Sequence, residues 1–155
     1  MLLSKAPKLP LKAYDDLGTF KLYTLDLGVL RKLSELDASI LLLPTPAYTE
    51  YKGALAENYI LQSLTAQFQM PFRYWTSGNK AEVDFLLQYI NQIYPIEVKA
   101  DQNIQGKSLI QYEKLFQPAC RIRYSMLNLK QDGNLLNIPL FLADKTRELL
   151  GVINV

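Results

Sequence analysis

A chain of 155 residues has room for one domain with a sizeable core, and 49% apolar against 21% charged residues is ordinary globular usage that excludes disorder. A net charge of +2 neither identifies nor excludes a nucleic-acid partner, because a local basic patch is enough to bind one. With no histidine and only Cys120, the chain has no Ser-His-Asp or Cys-His catalysis, no His-ligated metal, no internal disulfide and no Cys-rich zinc site. Any enzyme here works with carboxylates, lysine, tyrosine and a hard metal.

In chain order, residues 1 to 20 lack the apolar run of roughly 7–15 residues that a leader needs. The segment from Pro7 to Lys12 reads as mid-domain sequence, so the chain is expected to be a fragment of something longer. A strand is expected over Phe20 to Leu25, then a helix from Asp26, its N-cap, to Leu36. Leu41 to Thr49, with two prolines, reads as a connection. The longest apolar run, Ile40 to Leu43, is far short of the about 20 residues that cross a bilayer, so a soluble, cytoplasmic protein is expected.

A long helix over Tyr51 to Gln69 stops before Pro71, and a strand over Phe72 to Thr76 leads through the turn Ser77 to Lys80 into a hairpin. A further helix spans Lys107 to Phe116. Strands at Arg121 to Met126 and Ile138 to Leu142 flank a turn at Gln131 to Asn134, and a short helix covers Asp144 to Leu150. There is no repeat or linker, so residues 1–155 are read as a single domain. Helix, three strands, helix, strand makes an α/β sandwich with a mixed sheet.

The hairpin carries the chemistry. Residues 82 to 88 and 93 to 99 alternate, placing Val83, Phe85, Leu87, Tyr94, Ile96 and Val98 on one face and Glu82, Asp84, Glu97 and Lys99 on the other. With a turn of two or four residues centred between Ile90 and Asn91, Asp84 lies opposite Glu97 and Glu82 opposite Lys99. Like charges so placed repel, and a Mg²⁺ or Mn²⁺ between them reverses the sign. Glu97 and Lys99, two apart on a strand, share a face, so one can ligate metal while the other reaches water or a phosphate oxygen.

Glu57 lies on the long helix in line with Leu61, Leu64 and Phe68, and so points toward the sheet. Each group also has a plainer reading: Glu57 satisfied by a backbone amide or by Lys99, and Lys99 paired across the strands with Glu82. Gln111 and Tyr112, on the following helix, are candidates to support the site from behind. Arg73, Lys80, Lys107, Lys114, Arg121 and Arg123, interleaved with Tyr74, Trp75 and Tyr124, read either as a nucleic-acid surface or as solvated charge over core aromatics. Asp101 to Ser108 ends like a phosphate-binding loop. The pattern needs glycine where Asp101 stands, so ATP binding by this chain alone is rejected.

A helix glutamate, a strand aspartate and Glu-x-Lys on the next strand resemble the signature of the PD-(D/E)xK nuclease superfamily, here Glu57, Asp84, Glu97 and Lys99. Lys52 to Tyr59, Glu82 to Phe85, Tyr94 to Lys99, Ile138 to Phe141 and the upstream Phe20 to Gly28 resemble, more narrowly, the C-terminal domain of unknown function 4143 of bacterial and archaeal AAA-type P-loop ATPases. Val83 stands where the superfamily's name has proline.

The resemblance implies a restriction-endonuclease-like core (α-β-β-β-α-β), a central mixed sheet flanked by helices, and a partner ATPase domain N-terminal to it. It also implies Glu57, Asp84 and Glu97 as ligands for Mg²⁺ or Mn²⁺, with Lys99 catalytic beside Asp84 and Glu97. Two functions are compatible with it: a metal-dependent nuclease, or a catalytically inactive module that binds a partner or nucleic acid and regulates the ATPase.

Overall fold

The structure is a computed structural model that describes residues 1–35, 46–78, 80–100 and 106–153. It is α/β, with one mixed sheet of eight strands and, among the described residues, four α-helices. The strands are β1 (Leu2–Ser4), β2 (Asp15–Phe20), β3 (Arg73–Thr76), β4 (Glu82–Tyr89), β5 (Gln92–Val98), β6 (Arg121–Ser125), β7 (Lys130–Asp132) and β8 (Leu135–Pro139). Their order across the sheet is β2-β1-β3-β4-β5-β6-β8-β7, which makes the β4–β5 hairpin the centre. The helices are α1 (Leu27–Leu33), α2 (Pro46–Phe68), α3 (Lys107–Phe116) and α4 (Thr146–Ile153).

Helix ends follow local chemistry. Asp26 caps α1 as expected, its Oδ1 accepting from the Val29 N–H at 2.9 Å. The α2 and α3 helices close on Gln69 (φ 49) and Gln117 (φ 46), left-handed residues followed within two positions by Pro71 and Pro118. The α2 helix begins at Pro46, five residues before the expected start at Tyr51; the rest of the expected connection, 41–45, lies outside the described residues, as does the loop at 101–105.

Two expected strands are placed differently, and β1 and β2 were not expected. Residues 22 to 24 form no strand: reciprocal bonds between Lys21 and Met1 (2.9 and 2.7 Å) continue the β1–β2 pairing one step, and beyond them the Thr24 N–H donates to Asn58 Oδ1 at 2.9 Å. The last strand is Leu135–Pro139 rather than Ile138 to Leu142, because the chain turns into a 3-10 helix after Pro139. Unforeseen β1 and β2 extend the sheet, held by a bidentate Arg73–Asp15 pair (2.8 and 2.9 Å) that keeps the Asp15 carboxyl below its usual range.

Both faces of the sheet are buried, so the expected division into one apolar and one polar face does not hold. On the α2 side Phe85, Leu87, Tyr94, Ile96 and Val98 pack with Ile60 and Leu64. On the α3 side Val83 and Leu86 pack with Trp75, Leu109 and Tyr112. Val83 and Phe85 therefore point to opposite cores. The cause is a bulge: Arg73 pairs with Leu86 but Trp75 with Val83, so Asp84 and Phe85 together face Tyr74. Simple alternation is blind to such an extra residue.

Candidate functional site

The hairpin register is the expected one. Phe85 pairs with Ile96 and Tyr89 with Gln92 around a two-residue turn, Ile90 (φ 45) and Asn91 (φ 57). The ladder stops at Phe85 and Ile96. The next backbone donor, the Val98 N–H, meets Asp84 Oδ2 at 2.7 Å instead of a carbonyl, while the Lys99 N–H binds Tyr124 O on β6 at 2.8 Å. Asp84 thus sits at a fork where β4 leaves β5, and the bulge is what aims it there.

Around this fork Asp84 lies within electrostatic reach of both Glu57 and Glu97, and Glu97 pairs with Lys99. Burial above all, then the nearby Glu57 and to a smaller extent Glu97, push the Asp84 carboxyl up to about 7, against the lowering effects of the Val98 amide and Lys21. Glu97 is almost wholly buried; its Oε1 is 3.0 Å from Lys99 Nζ, and its Oε2 is buried without a hydrogen-bond partner among the described residues. By alternation with Ile96 and Val98, Glu97 leaves the sheet on the side away from α2. Glu57 approaches from α2 and accepts a bond from the Tyr23 hydroxyl at 3.1 Å.

The two plainer pairings do not occur. Lys99 pairs with Glu97, and Glu82 pairs with Lys21, the strand being drawn to β3 beyond the fork. Among the described residues Glu57 is met by a phenol and not by Lys99 or an amide.

Tyr23, Lys21 and Asn58 are site residues that pattern reading missed. Asn58 is buried on α2 next to Glu57 and grips Thr24 through its N–H (2.9 Å) and carbonyl (3.3 Å). This grip lays residues 21–24 across α2 as a strap, with the Tyr23 ring tilted against Phe85 at 5.8 Å. The Lys21 ammonium sits 4.9 Å over the Tyr74 ring. Lys21, Tyr23, Thr24, Leu30, Ala54 and Glu57 are among the residues lining a cleft of about 600 Å³. The available signal was the polar alternation of Lys21 and Tyr23 and the Glu57-Asn58 pair, both masked by an apolar neighbourhood.

Tyr112 lies in the α3-side core, edge-on to Trp75 at 5.3 Å and 4.8 Å from Phe116, and Gln111 is half-buried on the same helix. Neither is hydrogen-bonded to the carboxylates among the described residues. The basic and aromatic set is largely internal: Arg73 binds Asp15, Arg121 binds Glu113 (2.9 Å) and Asn134 (2.7 Å), Arg123 binds Asn137, and Tyr74, Trp75 and Tyr124 are buried. Lys80, Lys107 and Lys114 are exposed. No described helix is long and apolar enough to cross a membrane.

Among the described residues, no three His, Cys, Asp or Glu side chains converge as a ready metal cage. The donors still fit a hard divalent cation in two respects. An orphaned carboxylate oxygen and an aspartate raised by burial and by neighbouring carboxylates are both conditions that a cation reverses, and all the donors are oxygens.

Fold and site together define an α/β domain with Asp84 and the Glu97–Lys99 pair at the fork of its central hairpin and Glu57 on the adjoining helix. The model of the family called domain of unknown function 4143 (DUF4143) matches residues 52–141, and the chain belongs to that family. Glu57, Asp84, Glu97 and Lys99 all fall inside the match, whereas Lys21 and Tyr23 precede it. No curated protein and no solved structure shows a significant match to the chain.

Proposed function

We propose that the chain is a phosphodiester-cleaving module of the restriction-endonuclease-like, PD-(D/E)xK kind, holding Mg²⁺ or Mn²⁺ and working in the cytoplasm beside an AAA-type P-loop ATPase. The observation that carries this reading is the buried, unpartnered Glu97 Oε2 beside an Asp84 raised to about 7. A stable protein has no reason to retain such a pair for folding alone, because each term opposes the folded state.

Asp84 and Glu97 hold the cation, with Glu57 binding it directly or through water. The bound ion supplies a lowered water pKa and neutralises phosphate charge. Lys99, about a third exposed and anchored to Glu97, presents its remaining N–H donors to a phosphate oxygen or to the attacking water. Asp84 holds the Val98 amide and so keeps the fork open. Nucleic acid is the substrate class such a module cleaves.

A second reading has its own support. Lys99 neutralises Glu97 and Tyr23 satisfies one oxygen of Glu57, which is how a retired site acting only as a regulatory or binding module would be stabilised. The two part on one assay, incubation of the protein with single- and double-stranded DNA and RNA in Mg²⁺ or Mn²⁺. Cleavage that disappears in Glu97→Ala and Lys99→Ala supports the nuclease; no cleavage by the wild type, or cleavage indifferent to both changes, overturns it.

A further inference from the structure

We infer that Tyr23 is a positioning residue for Glu57, setting the helix carboxylate for the cation at the fork; this rests on the metal-site reading above. Glu57 leaves α2 half-buried, on a long side chain with three torsions, and its Oε2 accepts the Tyr23 hydroxyl at 3.1 Å. A glutamate that ligates metal needs such an outer partner, since a freely rotating carboxylate loses entropy on binding and presents the wrong oxygen.

Tyr23 is built for the task. Its ring is fixed against Phe85, a fully buried residue of the bulged strand next to Asp84. Its backbone neighbour Thr24 is clamped through its N–H and its carbonyl by Asn58, which adjoins Glu57 on the same helix. The phenol and the carboxylate it serves are therefore tied to one rigid element. With one oxygen engaged by the phenol, Glu57 keeps the other for the cation or its water.

The role also accounts for the strap. Residues 22–24 leave the β1 pairing after Lys21, and the segment 21–24 makes instead the Tyr23–Glu57 bond, the Thr24–Asn58 clamp and a Lys21–Glu82 ion pair at the fork's outer lip. All three contacts end on residues adjacent to, or part of, the carboxylate cluster.

The test is a double-mutant cycle read by calorimetric titration of Mn²⁺ into wild type, Tyr23→Phe, Glu57→Gln and the double variant. Phenylalanine keeps the ring against Phe85 and removes only the hydroxyl, and thermal melting checks that all four proteins are folded. The expected result is a roughly tenfold weaker Mn²⁺ affinity in Tyr23→Phe, with no further loss when Tyr23→Phe is added to Glu57→Gln. An equal loss in both backgrounds would mean a general structural effect and would overturn the role, as would an unchanged affinity in Tyr23→Phe. A wild type that binds no Mn²⁺ overturns the metal site and this role with it, whereas wild-type binding that is insensitive to Tyr23 overturns the role alone.

Discussion

The Val98 N–H donates to Asp84 Oδ2 at 2.7 Å, taking a carboxylate where the hairpin ladder would supply a carbonyl. That bond keeps β4 and β5 apart and leaves Asp84 among carboxylates, with its pKa pushed up to about 7. A raised carboxyl binds its proton more tightly in the folded than in the unfolded state, where its pKa is about 3.9. Metal-free stability from this group is therefore fully present below about pH 4, falls as pH rises from there to about 7, and is flat above.

Asp84→Asn removes the titration and keeps an oxygen for Val98. In chelator it should be more stable than wild type at neutral pH, on the order of 3 kcal/mol after allowing for partial solvent contact, and the difference should vanish near about pH 4. Urea unfolding across that range checks it. Parallel curves for the two proteins would show that Asp84 carries no such strain.

Lys99 and Glu97 form the one pair at the fork in which a nearly buried acid meets a partly exposed base. Lys99→Met leaves Glu97 with neither oxygen compensated and should cost about 2 kcal/mol, less than a fully buried pair because Lys99 still meets water. Adding Glu97→Gln should recover most of that loss. If the double variant is no more stable than Lys99→Met, the two residues are not energetically coupled.

The hairpin turn gives a prediction independent of the site. Ile90 is exposed and sits at φ 45, a left-handed conformation that a β-branched residue adopts at a cost. Ile90→Asn suits the first position of this turn and should stabilise the protein by about 1 kcal/mol, seen as a higher melting temperature with the site unchanged. A lower melting temperature would contradict the turn assignment.

Much of the site was legible in the sequence because it depends on short-range rules. The two-residue turn fixed which hairpin residues oppose each other, and helical spacing put Glu57 toward the sheet. Asp26 announced the start of α1. The faces of the hairpin were not legible, since the bulge at Asp84 and Phe85 is set by pairing with β3, and pairing between strands leaves no trace in alternation. Nor was the strap: Lys21 to Thr24 carries a strand-like pattern, and only the grip of Asn58, 34 positions from Thr24, diverts it. Hairpin alternation and helical spacing singled out Glu57, Asp84, Glu97 and Lys99 as candidates and the family resemblance implied their roles, whereas Tyr23 lies outside the matched span and emerged from geometry alone.

The central claim is that Asp84 and Glu97 hold a divalent cation at the fork. Calorimetric titration of Mn²⁺ into the wild-type protein and into Glu97→Gln tests it most directly. Saturable binding by the wild type, stronger at about pH 8 than at about pH 6 as Asp84 sheds its proton and abolished in Glu97→Gln, is the predicted result. Absence of saturable binding by the wild type, or equal binding by Glu97→Gln, would contradict it.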